Sequence, residues 1–320
     1  MPVQEYILRR LVLAIPTVLG VTIMVFLMMH FIPGDPVLLL LGNNYTEATA
    51  AVIRQQYGLD RPLYVQYVLW LGRLVMGDWG SSIIANRPIF TDLVRRLPVT
   101  IELIILAMGF ALLIAIPAGV IAALRPYSWH DYTAMITAFI GVSVPEFFMG
   151  VLLILCFSLA WDILPAVGYV PLTENLWANL RHMILPAVTL GLARAALLTR
   201  LIRASMLEVI RLDYVTTARA KGVRERAVIL NHALKNALIP TVTVLGLQVG
   251  FLIGGAIVVE TVFAVPGVGS FGIGAIALRD YPQVQAFILL FALGFVLVNL
   301  VVDILYVFLD PRIKYGQPAK

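Results

Sequence analysis

The stretch VTIELIILAMGFALLIAIPAGVIAAL, residues 99–124, decides the fold class, because it contains one charged side chain, Glu102. A helix of about 20 such residues crosses the hydrocarbon core of a bilayer, where backbone polar groups must be hydrogen bonded within the helix. The whole chain shares this character. Its residues are 61% hydrophobic and 13% charged, whereas ordinary soluble domains have about 25% charged residues. The sequence therefore predicts an all-α polytopic membrane protein.

Other long apolar runs predict about six transmembrane helices in a single domain covering residues 1–320. The predicted spans are 11–31, 99–124, 133–160, 183–202, 241–263 and 284–309. The first run follows two arginines, as in a signal peptide, but it is too long for one and is expected to be retained. The long connection 32–98 has apolar residues at helical spacing from Tyr64 to Val75, which predicts a short helix lying on the membrane.

The distribution of Lys and Arg predicts the orientation of the chain. These residues concentrate between 200 and 235 and near both termini, next to the ends of apolar runs. Positively charged short loops are retained on the cytoplasmic side, so we expect both termini to be cytoplasmic. The formal net charge of +5 would also suit a nucleic-acid partner, but the basic residues form no single patch. Membrane lipid is the partner that this pattern predicts.

The polar stretch 213–240, DYVTTARAKGVRERAVILNHALKNALIP, lies between the fourth and fifth predicted spans. Gly222 interrupts two helical patterns, and Val223, Ala227, Leu230 and Leu234 recur at steps of three and four after it. A helical hairpin of this kind suits a groove on a partner protein. It equally suits an interfacial helix that binds anionic lipid through its basic residues. The residues alone leave both interpretations open.

A family resemblance favours the partner protein. The segments TARAKG and HALKNA (residues 217–222 and 232–237) resemble the EAA loop of permeases of ATP-binding-cassette (ABC) importers, in the form typical of the peptide and nickel branch. The positions where the general pattern has glutamate and proline hold Thr216 and Lys235, as in the dipeptide, oligopeptide and glutathione permeases of that branch. Five further segments match that branch in order along the chain. They are FIPGDP (31–36), YGLDRPLYVQY (57–67), GDWGSS (77–82), VVETVFAVPGVGS (258–270) and NLVVDILYVFLDPRIKYG (299–316).

The resemblance implies a type I importer permease fold in a bacterial inner membrane. It also implies a second homologous permease subunit, two nucleotide-binding ATPase subunits and an external solute-binding protein. ATP and Mg would bind those ATPase subunits, since this chain has no GxxxxGK[ST] phosphate loop. The cargo could be a dipeptide, an oligopeptide, glutathione or a nickel chelate. The segment 205–240 would be the cytoplasmic coupling loop, with its ATPase-coupling residues at Ala218, Lys221, Gly222, Val223, Ala227 and Leu234.

Polar residues inside predicted spans cost about 2.5–3.5 kcal/mol each to insert, so each needs a reason. Glu146 and Arg194 are candidates for lining a wet passage, and pairing with each other or with a neighbouring subunit is an equal alternative. Glu102 and Glu260 are expected at the outer interface.

Two glycine-containing segments predict close contacts. Gly246, Gly250 and Gly254 form a small-residue stripe, which predicts helix packing against the partner permease. Gly255 beside the stripe leaves room for substrate contact as a lesser possibility. Segment 258–270, with Phe263, Pro266 and Gly267, predicts an outer loop that dips toward the passage, or else an ordinary surface hairpin.

Two other functions compete with an importer subunit. An ion-gradient-driven secondary transporter usually shows repeated halves, which this sequence lacks. A membrane-embedded hydrolase would need an activated nucleophile, and Ser143, Ser158 and Thr189 have no His or carboxylate at a catalytic spacing. The lone Cys156 and four scattered histidines predict no disulfide within the chain and no metal cluster.

Overall fold

The computed structural model describes residues 3–31, 41, 46–57 and 60–309, and its named elements are all helices. In chain order they are α1 (Val3–Phe31), α2 (Glu47–Tyr57), α3 (Leu63–Val75), α4 (Ile89–Leu124), α5 (Trp129–Ser143), α6 (Glu146–Leu153), α7 (Leu176–Val209), α8 (Asp213–Ala220), α9 (Glu225–Ala227), α10 (Lys235–Val262), α11 (Val268–Leu278) and α12 (Tyr281–Leu309). π-Helical turns continue α6 over Ile154–Ala160 and join α9 to α10 over Val228–Leu234. The sequence segments 32–40 and 310–320 lie outside the described residues.

Five of these helices contain stretches long and apolar enough to cross a membrane. The stretches are Leu8–Met28, Ile89–Leu124, Leu176–Val209, Val244–Val262 and Tyr281–Val302. A sixth span results if α5 and the helix Glu146–Ala160 count as one broken span, bent by 107°. The architecture is therefore the all-α, multi-pass bundle that the apolar runs predict.

The predicted continuous span 133–160 is wrong in one respect, because the helix breaks at Val144 and Pro145. Proline has no N–H for the helix and disfavours helical backbone in the residue before it. Val144 accordingly adopts an extended conformation (φ −85°, ψ 125°), and a new helix starts at Glu146 with Pro145 as its N-cap.

The α4 and α7 helices form the most extensive helix pair of the described residues. A Cβ atom added to Gly191 of α7 would lie 2.5 Å from the backbone oxygen of Ala107 in α4. Lipid tails are as apolar as leucine side chains, so helices in a bilayer associate through this kind of close packing. Both helices are longer than the predicted spans 99–124 and 183–202. Tertiary packing supports the extension, since Ile89 and Leu93 in the added turns of α4 are buried against Phe271 and Phe287.

The remaining long helices pack around this pair and against each other. The α1 helix packs along α12, and α3 covers one end of α1 through Tyr67, whose hydroxyl lies 2.8 Å from the Thr22 hydroxyl. The short helix predicted from the 64–75 periodicity is therefore present as α3. Its described contacts are with α1.

Buried contacts define the two ends of the bundle. At the loop end, the backbone N–H of Gly168 donates to the carbonyl of Phe263 (2.9 Å), which joins the α6–α7 connection to the α10–α11 turn. At the hairpin end, Arg203 near the end of α7 binds Asp131 in the first turn of α5, with N···O distances of 2.5 and 2.6 Å. The α8–α9 segment lies at this hairpin end.

Candidate functional site

A tight hairpin between α8 and α9 corresponds to the predicted coupling loop. The chain turns at Gly222, whose φ of +76° lies in the left-handed region that glycine adopts without steric cost. The guanidinium of Arg219 donates to both carboxylate oxygens of Glu225, at 2.8 and 3.1 Å, and so bridges the turn. This hydrogen bond holds the pKa of Glu225 below its ordinary value. The turn is therefore held by backbone geometry and by an ion pair.

The underside of the hairpin is anchored to the transmembrane helices. Val215 and Ala218 of α8 are buried against Val228, with Val209 from the end of α7 packed beside them. The α8 arm of the hairpin thus packs on the end of α7 and on the helix that begins with α9.

The structure divides the predicted coupling residues into two groups. Lys221 and Gly222 are exposed at the tip of the hairpin. Ala218 is buried with Val223 packed beside it, so these two support the hairpin from within. Ala227 is partly buried, and Leu234 packs against the apolar core between α4, α7 and α10. The backbone N–H of Val223 donates to the Ala218 carbonyl (3.3 Å) across the turn.

The boundaries 205–240 predicted for this loop are also corrected. Residues 205–209 belong to α7, and the residues after Arg224 form one helix that continues through the π-helical turn into α10. Only α8 is a separate short helix. Sequence periodicity cannot show this continuity, because a π-helical turn shifts the apolar pattern without breaking the helix.

A second polar feature lies at the break between α5 and α6. Arg194 of α7 approaches Glu146 with one Nη2···Oε1 contact of 3.3 Å, and their side chains are 19% and 22% exposed. The structure thus brings the two passage candidates together as a pair within this chain. Gly255 of α10 faces them, since a Cβ atom there would lie 2.7 Å from Oε2 of Glu146.

The glycine stripe of α10 packs within the chain, which corrects the prediction of a partner contact for two of its members. A Cβ atom on Gly246 would lie 2.4 Å from Val302 of α12, and one on Gly250 would lie 2.8 Å from Phe295 of α12. At Gly254 such an atom would meet no described atom within 4 Å. The spacing of the glycines predicts a packing face correctly, but it cannot identify the helix that fills it.

The carboxylate of Glu260 is fully buried within the protein at the loop end, and its place at the outer membrane interface stays a prediction. It accepts hydrogen bonds from the Thr100 hydroxyl (2.5 Å) and from the backbone N–H of Ser270 (3.0 Å). The Thr100 oxygen in turn accepts from the N–H of Val268 (2.9 Å). These two N–H groups belong to the first turn of α11, where a helix lacks internal acceptors. We call Thr100, Glu260, Val268 and Ser270 the Glu260 cluster.

The Glu260 cluster determines the shape of the predicted outer loop. Gly267 packs directly on the carboxylate, where a Cβ atom would lie 2.2 Å from Glu260. Phe263 is buried in the main apolar core, so it cannot line a passage in this conformation, whereas Pro266 is exposed. The chain after residue 267 forms α11, a short apolar helix that follows the turn. The prediction that this segment faces the passage stays a prediction.

Sequence reasoning missed several polar contacts. Glu102 is half-buried and accepts from the Tyr169 hydroxyl (2.9 Å) and from the Asn179 amide (2.7 Å). Burial, with this hydrogen bond, raises the pKa of Tyr169 to about 12. The Asp131–Arg203 pair was also missed, because its members are 72 residues apart and each resembles an ordinary charge at a helix end. Within the described ranges, no three His, Cys, Asp or Glu side chains form a group that could hold a metal ion.

Comparisons with known proteins agree with this architecture. Residues 115–315 match the family model described as "binding-protein-dependent transport system inner membrane component", and residues 3–104 match the N-terminal model of such membrane components. The glutathione transport system permease protein GsiC of Escherichia coli (strain K12) is 45% identical over 97% of this chain and 99% of its own length. The dipeptide transport system permease protein DppB of Alkalihalophilus pseudofirmus is 43% identical over the same shares.

A solved structure shows the same fold at low sequence identity. The MetNI methionine ABC transporter, in an inward-facing conformation, superposes with a TM-score of 0.54 and 19% identity. The match covers 68% of this chain and 96% of the other chain. The fold is thus that of a type I importer permease.

The buried contacts of Glu260 generate a stability prediction. In Glu260→Gln, one oxygen becomes an NH2 group that cannot accept a hydrogen bond. We expect a loss of about 1–3 kcal/mol, because a buried donor at the start of α11 loses its acceptor. The thermal unfolding midpoint of the purified protein and protease cleavage between residues 263 and 280 would measure this loss.

Two further variants serve as comparisons for Glu260→Gln. Gly267→Ala should give the same cleavage pattern, because its methyl group displaces the carboxylate. Thr261→Val is the control, since the Thr261 hydroxyl is exposed and bonds only the Ile257 carbonyl of its own helix (2.8 Å). Unchanged unfolding and cleavage in both Glu260→Gln and Gly267→Ala would contradict the assignment.

Proposed function

Because the chain belongs to the family of binding-protein-dependent transport system inner membrane components, the permeases of ABC importers, we propose that it imports small peptides or peptide-like solutes. The similarity to GsiC and DppB carries this proposal. Both relatives match nearly the whole chain at 43–45% identity, and their names specify glutathione and dipeptides, which are both short peptides. An ABC importer permease works with ATPase subunits and a solute-binding protein. We further propose a second homologous permease and two ATPase subunits, which bind ATP and Mg.

We assign coupling to the ATPase to the α8–α9 hairpin. Its tip at Lys221 and Gly222 is exposed, while its underside is packed on α7 and on the start of the α9–α10 helix. A docked subunit would therefore push on two transmembrane helices at once. The basic residues of the hairpin also suit anionic lipid headgroups, and the measurement on Gly222 below separates these two uses.

The alternative of a secondary transporter gains one feature from the structure, the broken helix of α5 and α6. The fold match and the permease relatives nevertheless favour the importer. In the proposed function, the broken helix of α5 and α6 is therefore a feature of an ATP-driven permease.

The energy source separates these alternatives. In proteoliposomes that contain the whole complex, with ATP inside and the binding protein outside, we expect uptake of labelled glutathione or dialanine without any ion gradient. Liposomes that lack this chain are the control. Uptake that follows a proton or sodium gradient and ignores ATP would contradict the proposal.

Gly222→Ala tests the hairpin. A non-glycine residue in left-handed backbone costs about 1–2 kcal/mol, which shifts the population of the turn by about 5- to 30-fold. We expect normal membrane insertion but fewer solute molecules imported per ATP hydrolysed. A Cβ atom at Gly222 would meet no described atom within 4 Å, so backbone strain is the cause.

Gly109→Ala is the matched control for Gly222→Ala. Gly109 also has open space around it, but it lies within α4 and has no positive φ. Normal coupling in Gly222→Ala, with altered binding to anionic vesicles, would favour the lipid interpretation over ATPase docking.

We also propose that both termini are cytoplasmic, so that the hairpin end faces the ATPase. Pro318→Cys in a Cys156→Ala background should react with an impermeant thiol reagent only after the membrane is permeabilised. Thr173→Cys, at the exposed loop end, should react in intact cells. Labelling of position 318 in intact cells would reverse the orientation.

A further inference from the structure

The contact between Glu146 and Arg194 is longer and has fewer hydrogen bonds than the contact between Asp131 and Arg203. Arg203 binds Asp131 through two nitrogens at 2.5 and 2.6 Å, with the carboxylate 4% exposed. Arg194 makes a single 3.3 Å contact with Glu146, and its buried Nε has no hydrogen-bond partner among the described residues. The guanidinium group therefore has donor capacity that Glu146 does not use.

The surroundings cover the pair only in part, since the side chains of Arg194 and Glu146 are 19% and 22% exposed. Glu146 is the first residue of α6, next to the break at Pro145, and its carboxylate lies over the backbone of Gly255. The side of α10 that faces the pair is thus bare backbone, because Gly255 has no side chain.

Both charges lie within segments that are apolar enough to span the membrane. Charged side chains at such positions are costly to insert, and they commonly mark the path of a substrate or an ion. A pair with a purely structural role would gain from the bidentate geometry that Asp131 and Arg203 achieve. The loose geometry instead leaves both groups able to exchange partners.

We infer that Glu146 and Arg194 form a solute-binding site in the passage, with opposite charges for a zwitterion. The carboxylate of Glu146 would bind the ammonium group of a peptide, and the guanidinium of Arg194 would bind its carboxylate. The pair closes on itself when no solute is present, so neither charge is left without a partner. This inference rests on the proposed function, since peptides with free ends carry both groups.

A purely structural ion pair makes a different prediction for neutral variants. Removing one member of a buried pair leaves an uncompensated charge, whereas removing both is often tolerated. If the pair is structural, Glu146→Gln/Arg194→Gln should therefore transport better than either single variant. If the pair binds solute, the double variant should transport as poorly as the single ones.

The experiment measures ATP-driven uptake of labelled trialanine in proteoliposomes of the complete complex. We expect Glu146→Gln, Arg194→Gln and the double variant each to lose about tenfold or more, as for a lost charge-assisted contact. ATP hydrolysis stimulated by the binding protein should continue in all three. Arg200→Gln is the control, because Arg200 lies on the same helix over the ring of Phe139 and has no contact with the pair.

Trialanine amide, which lacks the carboxylate, gives a second readout. The binding protein affects wild type and variant equally, so its preference cancels in the ratio of their uptake rates. Arg194→Gln should lower uptake of trialanine by about tenfold more than uptake of the amide.

Four results would overturn the inference. Recovery of trialanine uptake in the double variant would assign the pair a structural role. Equal losses for trialanine and its amide in Arg194→Gln, or wild-type uptake in all variants, would also reject the site. Failure of the wild-type complex to import trialanine, glutathione or dialanine with ATP would reject the proposed function itself, together with this inference.

Discussion

The fold depends on one constraint, that backbone N–H and C=O groups in hydrocarbon must find partners within the protein. Long helices meet it along most of this chain, and the two places where the helix stops inside the bundle need other solutions. At the α10–α11 turn, Thr100 and Glu260 accept the free N–H groups of Val268 and Ser270. At the α5–α6 break, Pro145 has no N–H to satisfy, and the turn places a carboxylate beside Arg194. The Glu260 cluster and the Glu146–Arg194 pair thus both lie at positions where a helix is interrupted.

The apolar runs were sufficient to predict an all-α membrane bundle, and the position of Gly222 was sufficient to predict the hairpin. Helix ends were less predictable, because they depend on distant neighbours. The first turns of α4 mix apolar and charged residues, and their helix is supported by Ile89 and Leu93, which pack against α11 and α12. The burial of Glu260 was also not predictable from the sequence, for the same reason. A carboxylate near the end of an apolar run looks like a surface group until its partner Thr100, 160 residues away in sequence, is known.

The Asp131–Arg203 and Glu146–Arg194 ion pairs differ in geometry. Asp131 and Arg203 join the start of α5 to the end of α7 through a saturated, bidentate contact, which suits a permanent link between helices. Glu146 and Arg194 join the start of α6 to the middle of α7 with one long contact, and both side chains are partly exposed. Residue identities alone do not distinguish these pairs. The number and length of their contacts do.

The continuity of α9, the π-helical turn and α10 has a mechanical consequence. Residues 225–262 form one helix, which at 1.5 Å per residue is about 57 Å long. Its first turns carry one arm of the hairpin, and its last turn carries Glu260, which holds the start of α11. In the proposed function, this helix would carry a movement of the hairpin to the opposite end of the bundle, because no loop lies between its two ends. Helices bend most readily at π-helical turns and at prolines, so we expect this helix to bend at Val228–Leu234 and at Pro240.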